Sequence, residues 1–138
     1  WLLEINTRIS KSHCPLFRNV DGATHHKIML DLALGQRPEF PHRQGSYKLA
    51  AKFMWRIYED AHVKRVPDSR ELKALKQRFP SAEIQLHIHE GMRLSELRDQ
   101  DSYSYEIAVI FLAGNTQQEL LQKYREVQRF MNIELEPA

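Results

Sequence analysis

A single cysteine, Cys14, in 138 residues excludes an intrachain disulfide and makes a reducing cytoplasm the natural setting. A lone cysteine is more often a small buried hydrophobe than a nucleophile, so a core position is expected for it. The five glycines, at 22, 35, 45, 91 and 114, are too scattered to build a P-loop or a dinucleotide fingerprint. The longest apolar run, 107–113, is too short to span a bilayer, and nothing reads as a signal peptide, so no membrane partner is expected. Charge of neither sign dominates: 20 Lys and Arg face 18 Asp and Glu. Around 52–65, Lys52, Arg56, Lys64 and Arg65 are mixed with Glu59 and Asp60, and a nucleic-acid partner is not expected either. With 42% hydrophobic and 28% charged residues, the composition is that of an ordinary soluble globular chain.

The most informative stretch is the first ten residues. Read at period two, Leu3, Ile5, Thr7 and Ile9 point one way and Glu4, Asn6 and Arg8 the other. Same-face residues of a strand stand roughly 6.6 Å apart, a gap that the Glu4 and Asn6 side chains can bridge to one ion or a close pair. Their carboxylate and amide oxygens are the hard donors that magnesium takes, and Arg8 adds a forked donor for a phosphate or carboxylate. The same order also fits an ordinary amphipathic surface strand.

The string Glu4-Ile5-Asn6-Thr7-Arg8-Ile9, followed by His13, resembles the last strand of the ATP-grasp catalytic core, in the form that biotin carboxylases carry. The resemblance implies that Glu4 and Asn6 hold magnesium, or manganese in its place, beneath ATP. It implies that Arg8 faces the reacting acyl group or its phosphate and that His13 lines the nucleotide site. Arg56, in Trp55-Arg56-Ile57, falls where biotin carboxylases carry a substrate-facing arginine. Those enzymes continue the motif with Gln and with a Glu that activates bicarbonate, where this chain has Ser10 and Ser12. A serine hydroxyl does not replace a carboxylate base at neutral pH, which favours a ligase joining a small carboxylate to an amine. A carboxylase and a non-catalytic binding or assembly module are the alternatives. Because the chain opens on Trp1, in what reads as the middle of a strand, it reads as the C-terminal piece of a longer protein, inactive when alone.

The remaining pattern predicts α+β architecture: the end of an ATP-grasp core over 1–41, then a small two-layer antiparallel sheet over 42–138 with helices on one face. In order, a strand is expected over 1–10, and a loop over 11–20 because of Pro15. A helix over 22–34, capped by Asp21, and a connection over 37–46 follow. Strands are predicted over 47–58, 62–66 and 82–89, with a central one over 105–113 covered on both faces. Asp68 and Glu71 form a capping box for a helix with Leu72, Leu75 and Phe79 inward. Thr116 and Glu119 form another, opening a last helix whose inward stripe is Leu120, Leu121, Tyr124, Val127 and Met131. Adjacent His25 and His26 diverge on their helix, and His87 with His89 has no third ligand, so neither pair is expected to hold a metal. The apolar residues Leu3, Ile5 and Ile9, with the helix over 22–34, predict self-association.

Overall fold

The computed structural model describes residues 3–4, 8–10, 12–98, 101 and 103–138. Two short helices come first, α1 (Cys14–Asp21) and α2 (His25–Ala33), followed by a connection without regular structure. Then come β1 (Leu49–Ile57), β2 (Ala61–Arg65), α3 (Ser69–Arg78), β3 (Glu83–Leu86), a single 3-10 turn (Leu94–Glu96), β4 (Tyr105–Gly114), α4 (Gln117–Met131) and β5 (Glu134–Pro137). Three strands form an antiparallel sheet in the order β1-β4-β3, and β2 pairs antiparallel with β5 in a second. The architecture is α+β.

The sheet centre follows from the most apolar run of the chain. Residues 107–114 of β4 are all buried. On one face Ala108, Ile110 and Leu112 pack with Leu75 and Phe79 at α3, and with Leu120, Val127 and Met131 of α4. Val109 and Phe111 point the other way. There α1 packs against β1 and β4, and its Arg18 pairs with Glu83, which stands opposite Phe111 in the β3–β4 register. The two helices of 42–138 therefore share one face, as expected, and α1, from the first 41 residues, covers the other. The reason is the composition of β4: a strand without a polar face needs cover on both sides, and α1 supplies the second.

A second core joins Ala61 and Val63 of β2 to Ile88, Met92, Leu94 and Ile107. Arg65 ties the layers together. Its guanidinium pairs with Glu71 and donates to the carbonyl oxygens of Met131 (3.2 Å) and Asn132 (2.7 Å), capping the C-terminus of α4 where a cation is favoured.

Local chemistry departs from expectation near the N-terminus. Pro15 does not make a loop; it sits in the first turn of α1, where its missing N–H costs nothing. Asp21 ends α1 instead of capping the next helix, and Gly22 follows in the left-handed region at φ 85°. Thr24 is the cap of α2, accepting from the Lys27 N–H at 3.3 Å. That helix buries Asp31 and leaves Met29, Leu30 and Leu32 exposed.

The capping box of α3 forms as expected, with Asp68 accepting from Arg70 and Glu71 and Glu71 accepting from the Asp68 N–H. At α4, Thr116 caps Glu119, but the Glu119 carboxylate turns to the Asn115 N–H at 2.6 Å. Leu121 lies outside the inward stripe and is exposed.

Candidate functional site

Two regions bear on the predicted site residues. In the opening stretch, none of Leu3, Glu4, Arg8 and Ile9 lies in a strand, and Ile5, Asn6 and Thr7 fall outside the described residues. Leu3 is 97% exposed, and Glu4 and Arg8 are exposed as well. The alternation that suggested a strand is not used by these four residues, none of which takes part in a sheet ladder. His13, exposed, stands at the N-cap of α1 without a side-chain cap bond, and its carbonyl oxygen accepts from the Leu16 and Phe17 N–H groups. Behind it the Ser10 and Ser12 hydroxyl oxygens are 3.2 Å apart, and Cys14 is buried.

The second region is built by an irregularity in the β1–β4 ladder. Trp55 faces Ala108, but Arg56 faces Glu106, so Ile107 is the extra residue on β4. An inserted residue turns the strand and re-aims the side chain beside it. Glu106 would otherwise share the face of Ala108; the bulge brings it to the face of Arg56.

The Arg56 guanidinium then gathers three oxygens. It donates to Ser104 Oγ at 2.8 Å and to Glu106 Oε2 at 3.3 Å, and pairs with Asp101. The Glu106 side chain is largely buried, whereas that of Asp101 is 63% exposed. His87 stands on the other side of Glu106. Its Nδ1 lies 3.1 Å from the Glu106 carbonyl oxygen and 3.6 Å from Oε1. A carbonyl oxygen only accepts, so Nδ1 carries the proton and Nε2 is the acceptor of the neutral ring.

A cleft of about 430 Å³ opens beside this group, lined by His87, His89, Met92, Leu97, Arg98 and Glu106 among others. Among the described residues no group of three His, Cys, Asp or Glu is arranged to hold a metal ion. What the cluster offers is a guanidinium fixed by one inner carboxylate and one outer, exchangeable one.

The sequence singles out Arg56 through the resemblance alone, and it does not announce the three partners that the structure gives it. Asp101, Ser104 and Glu106 are 45, 48 and 50 residues downstream. The one local signal is Glu106 itself, a charge at the entry of an otherwise apolar strand.

A second cavity, about 500 Å³, lies where α1, the 43–48 connection and the start of α4 meet, and carries Arg43, Lys48 and Asn115 in its wall. Gly45 shapes it. Its N–H donates to the Val20 carbonyl at 2.9 Å, and a Cβ there would stand 2.2 Å from the Asn19 oxygen.

Comparisons with protein-family models, with curated proteins and with solved structures find no match to this chain.

Proposed function

We propose that this chain is the C-terminal part of an ATP-dependent, magnesium-requiring ligase of the ATP-grasp type, which activates a carboxylate as its acyl phosphate for attack by an amine. The reading is carried by the string Glu4-x-Asn6-Thr7-Arg8-Ile9 with His13 behind it. The donors suit the ion. Glu4 is exposed and has no hydrogen-bond or ion-pair partner among the described residues, so its carboxylate is available as a hard ligand, and Asn6, two positions on in the sequence, carries a second oxygen donor. When bound, magnesium would offset phosphate charge as the γ-phosphoryl group of ATP passes to a carboxylate oxygen of the substrate and ADP departs.

The chain's own residues hold and orient. Arg8 presents its fork to the oxygens of the acyl phosphate, where negative charge is concentrated, and His13 contacts the nucleotide. Arg56 binds the substrate carboxylate by exchanging the exposed Asp101 for it, with Glu106 keeping the guanidinium in place. The amine nitrogen then attacks the acyl carbon and phosphate departs, giving an amide, ADP and phosphate. Most of the rate gain in such chemistry is positioning and electrostatics, so no protein nucleophile is required.

The paired hydroxyls of Ser10 and Ser12 favour this reading over a biotin carboxylase type, because neither supplies a carboxylate to activate bicarbonate. Hydroxylamine trapping tests the proposal. The complete protein, given Mg·ATP, a panel of small carboxylates and hydroxylamine, is expected to form a hydroxamate in step with ADP. Biotin- and bicarbonate-dependent ADP release without hydroxamate would make it a carboxylase. No ATP turnover with any acceptor would make it a non-catalytic module.

A further inference from the structure

The two edges of the three-stranded sheet differ. β3 is four residues long and its Glu83 is tied to Arg18, a short, charged edge that resists pairing. β1 runs nine residues, roughly 30 Å, and contains no proline. Among the described residues no strand pairs with its outer side. Its two charges are Lys52 and Arg56, and Arg56 is already met by Asp101 and Glu106. Met54 is 51% and Leu49 42% exposed. Phe53 and Trp55 pack against the main core yet remain partly exposed, while 107–114 on the neighbouring strand is wholly buried. An edge of this length and apolarity is a template for another strand.

We infer that the outer edge of β1 pairs antiparallel with β1 of a second copy, about a two-fold axis at Phe53, joining two three-stranded sheets into one of six strands. The inference does not rest on the proposed ligase activity. Register selects the arrangement. Self-pairing must keep the Ala51, Phe53, Trp55 face on one side, which leaves only two-residue steps between alternatives. Centred on Phe53, Leu49 meets Ile57, small Ala51 meets large Trp55, and Lys52 meets Met54. Centred on Lys52, two lysines oppose each other; centred on Met54, Lys52 opposes Arg56. Like charges directly opposite are destabilising, so the Phe53 register is preferred. Tyr124 already stacks on Phe53 at 4.3 Å with 9° between the rings, which holds the central ring flat for its mate.

Sedimentation equilibrium of the 138-residue chain over a wide concentration range tests this, with three exposed-site variants. The chain is expected to dimerise reversibly. Met54→Lys, which creates two like-charge contacts by symmetry, should weaken the dimer about tenfold. Met54→Glu, which sets a carboxylate opposite Lys52, should not weaken it, and Leu30→Lys on α2 should leave it unchanged. Oxidation should crosslink a mixture of Lys52→Cys and Met54→Cys chains, whose Cα atoms would be about 5 Å apart, and neither variant alone. Cys14 is buried and does not compete. A monomer at every concentration would overturn the inference. So would association abolished by Leu30→Lys but indifferent to Met54→Lys, or crosslinking of Lys52→Cys alone.

Discussion

Gly45 shows how little room some positions leave. A methyl group there would meet the Asn19 carbonyl oxygen at 2.2 Å, and that oxygen also accepts from the Tyr47 N–H. Gly45→Ala is expected to push the connection off the end of α1, costing on the order of 1–3 kcal/mol as overpacking does. Chemical denaturation of the 138-residue chain, read by circular dichroism, measures it; an unchanged midpoint would mean the two backbones separate freely. Nothing in the sequence marks this glycine apart from its neighbours, because the clash is with a residue reached through folding. Asp21 is a similar case. As a residue type it suits a helix cap, but its carboxylate accepts instead from the Arg43 N–H at 2.8 Å, 22 positions away. Glu106 depends on a bulge that no residue type announces.

At the scale of elements, the legible parts were those with strong periodicity or a reciprocal cap. β4 was readable from seven consecutive apolar residues, and α3 from Asp68 and Glu71 three apart. β5 was not, since Glu134-Leu135-Glu136-Pro137 has one apolar residue and owes its strand to pairing with β2. The helix α1 was hidden because a proline reads equally as a breaker and as a first-turn residue.

Element α4 also carries a pH dependence. Hydrogen bonding from Lys123, joined by the Asn115 N–H, holds the Glu119 carboxyl below its usual range. A depressed carboxyl stabilises the fold above the unfolded-state value and loses that contribution as pH falls through the folded-state value. Thermal unfolding followed from neutral to acid pH should therefore show wild type losing stability, once pH passes below the ordinary glutamate range, faster than Glu119→Gln does. Parallel curves for the two proteins would show that the carboxylate contributes nothing as a charge.

The whole molecule divides what was foreseen differently from its parts. The α+β class follows from the order strand, strand, helix, strand, strand, helix after residue 47, and the structure has that order with β5 added at its end. The covering of the sheet by α1 does not follow, because it needs the first 21 residues to fold back on β1 and β4. For the candidate site, the proposed roles of Glu4, Asn6, Arg8 and His13 rest on one short string, whereas Arg56 is held by Asp101, Ser104 and Glu106, which only folding brings to it.

The central claim is that the Glu4 carboxylate is a magnesium ligand under a triphosphate. It is tested most directly by steady-state ADP release from the complete protein carrying Glu4→Gln, measured across a magnesium titration. That substitution removes a ligand charge and keeps the shape of the side chain. Turnover is expected to fall roughly 10²-fold or more, with a higher magnesium requirement, because phosphate charge is no longer balanced as the transition state forms. Near-normal turnover with an unchanged magnesium dependence would contradict it.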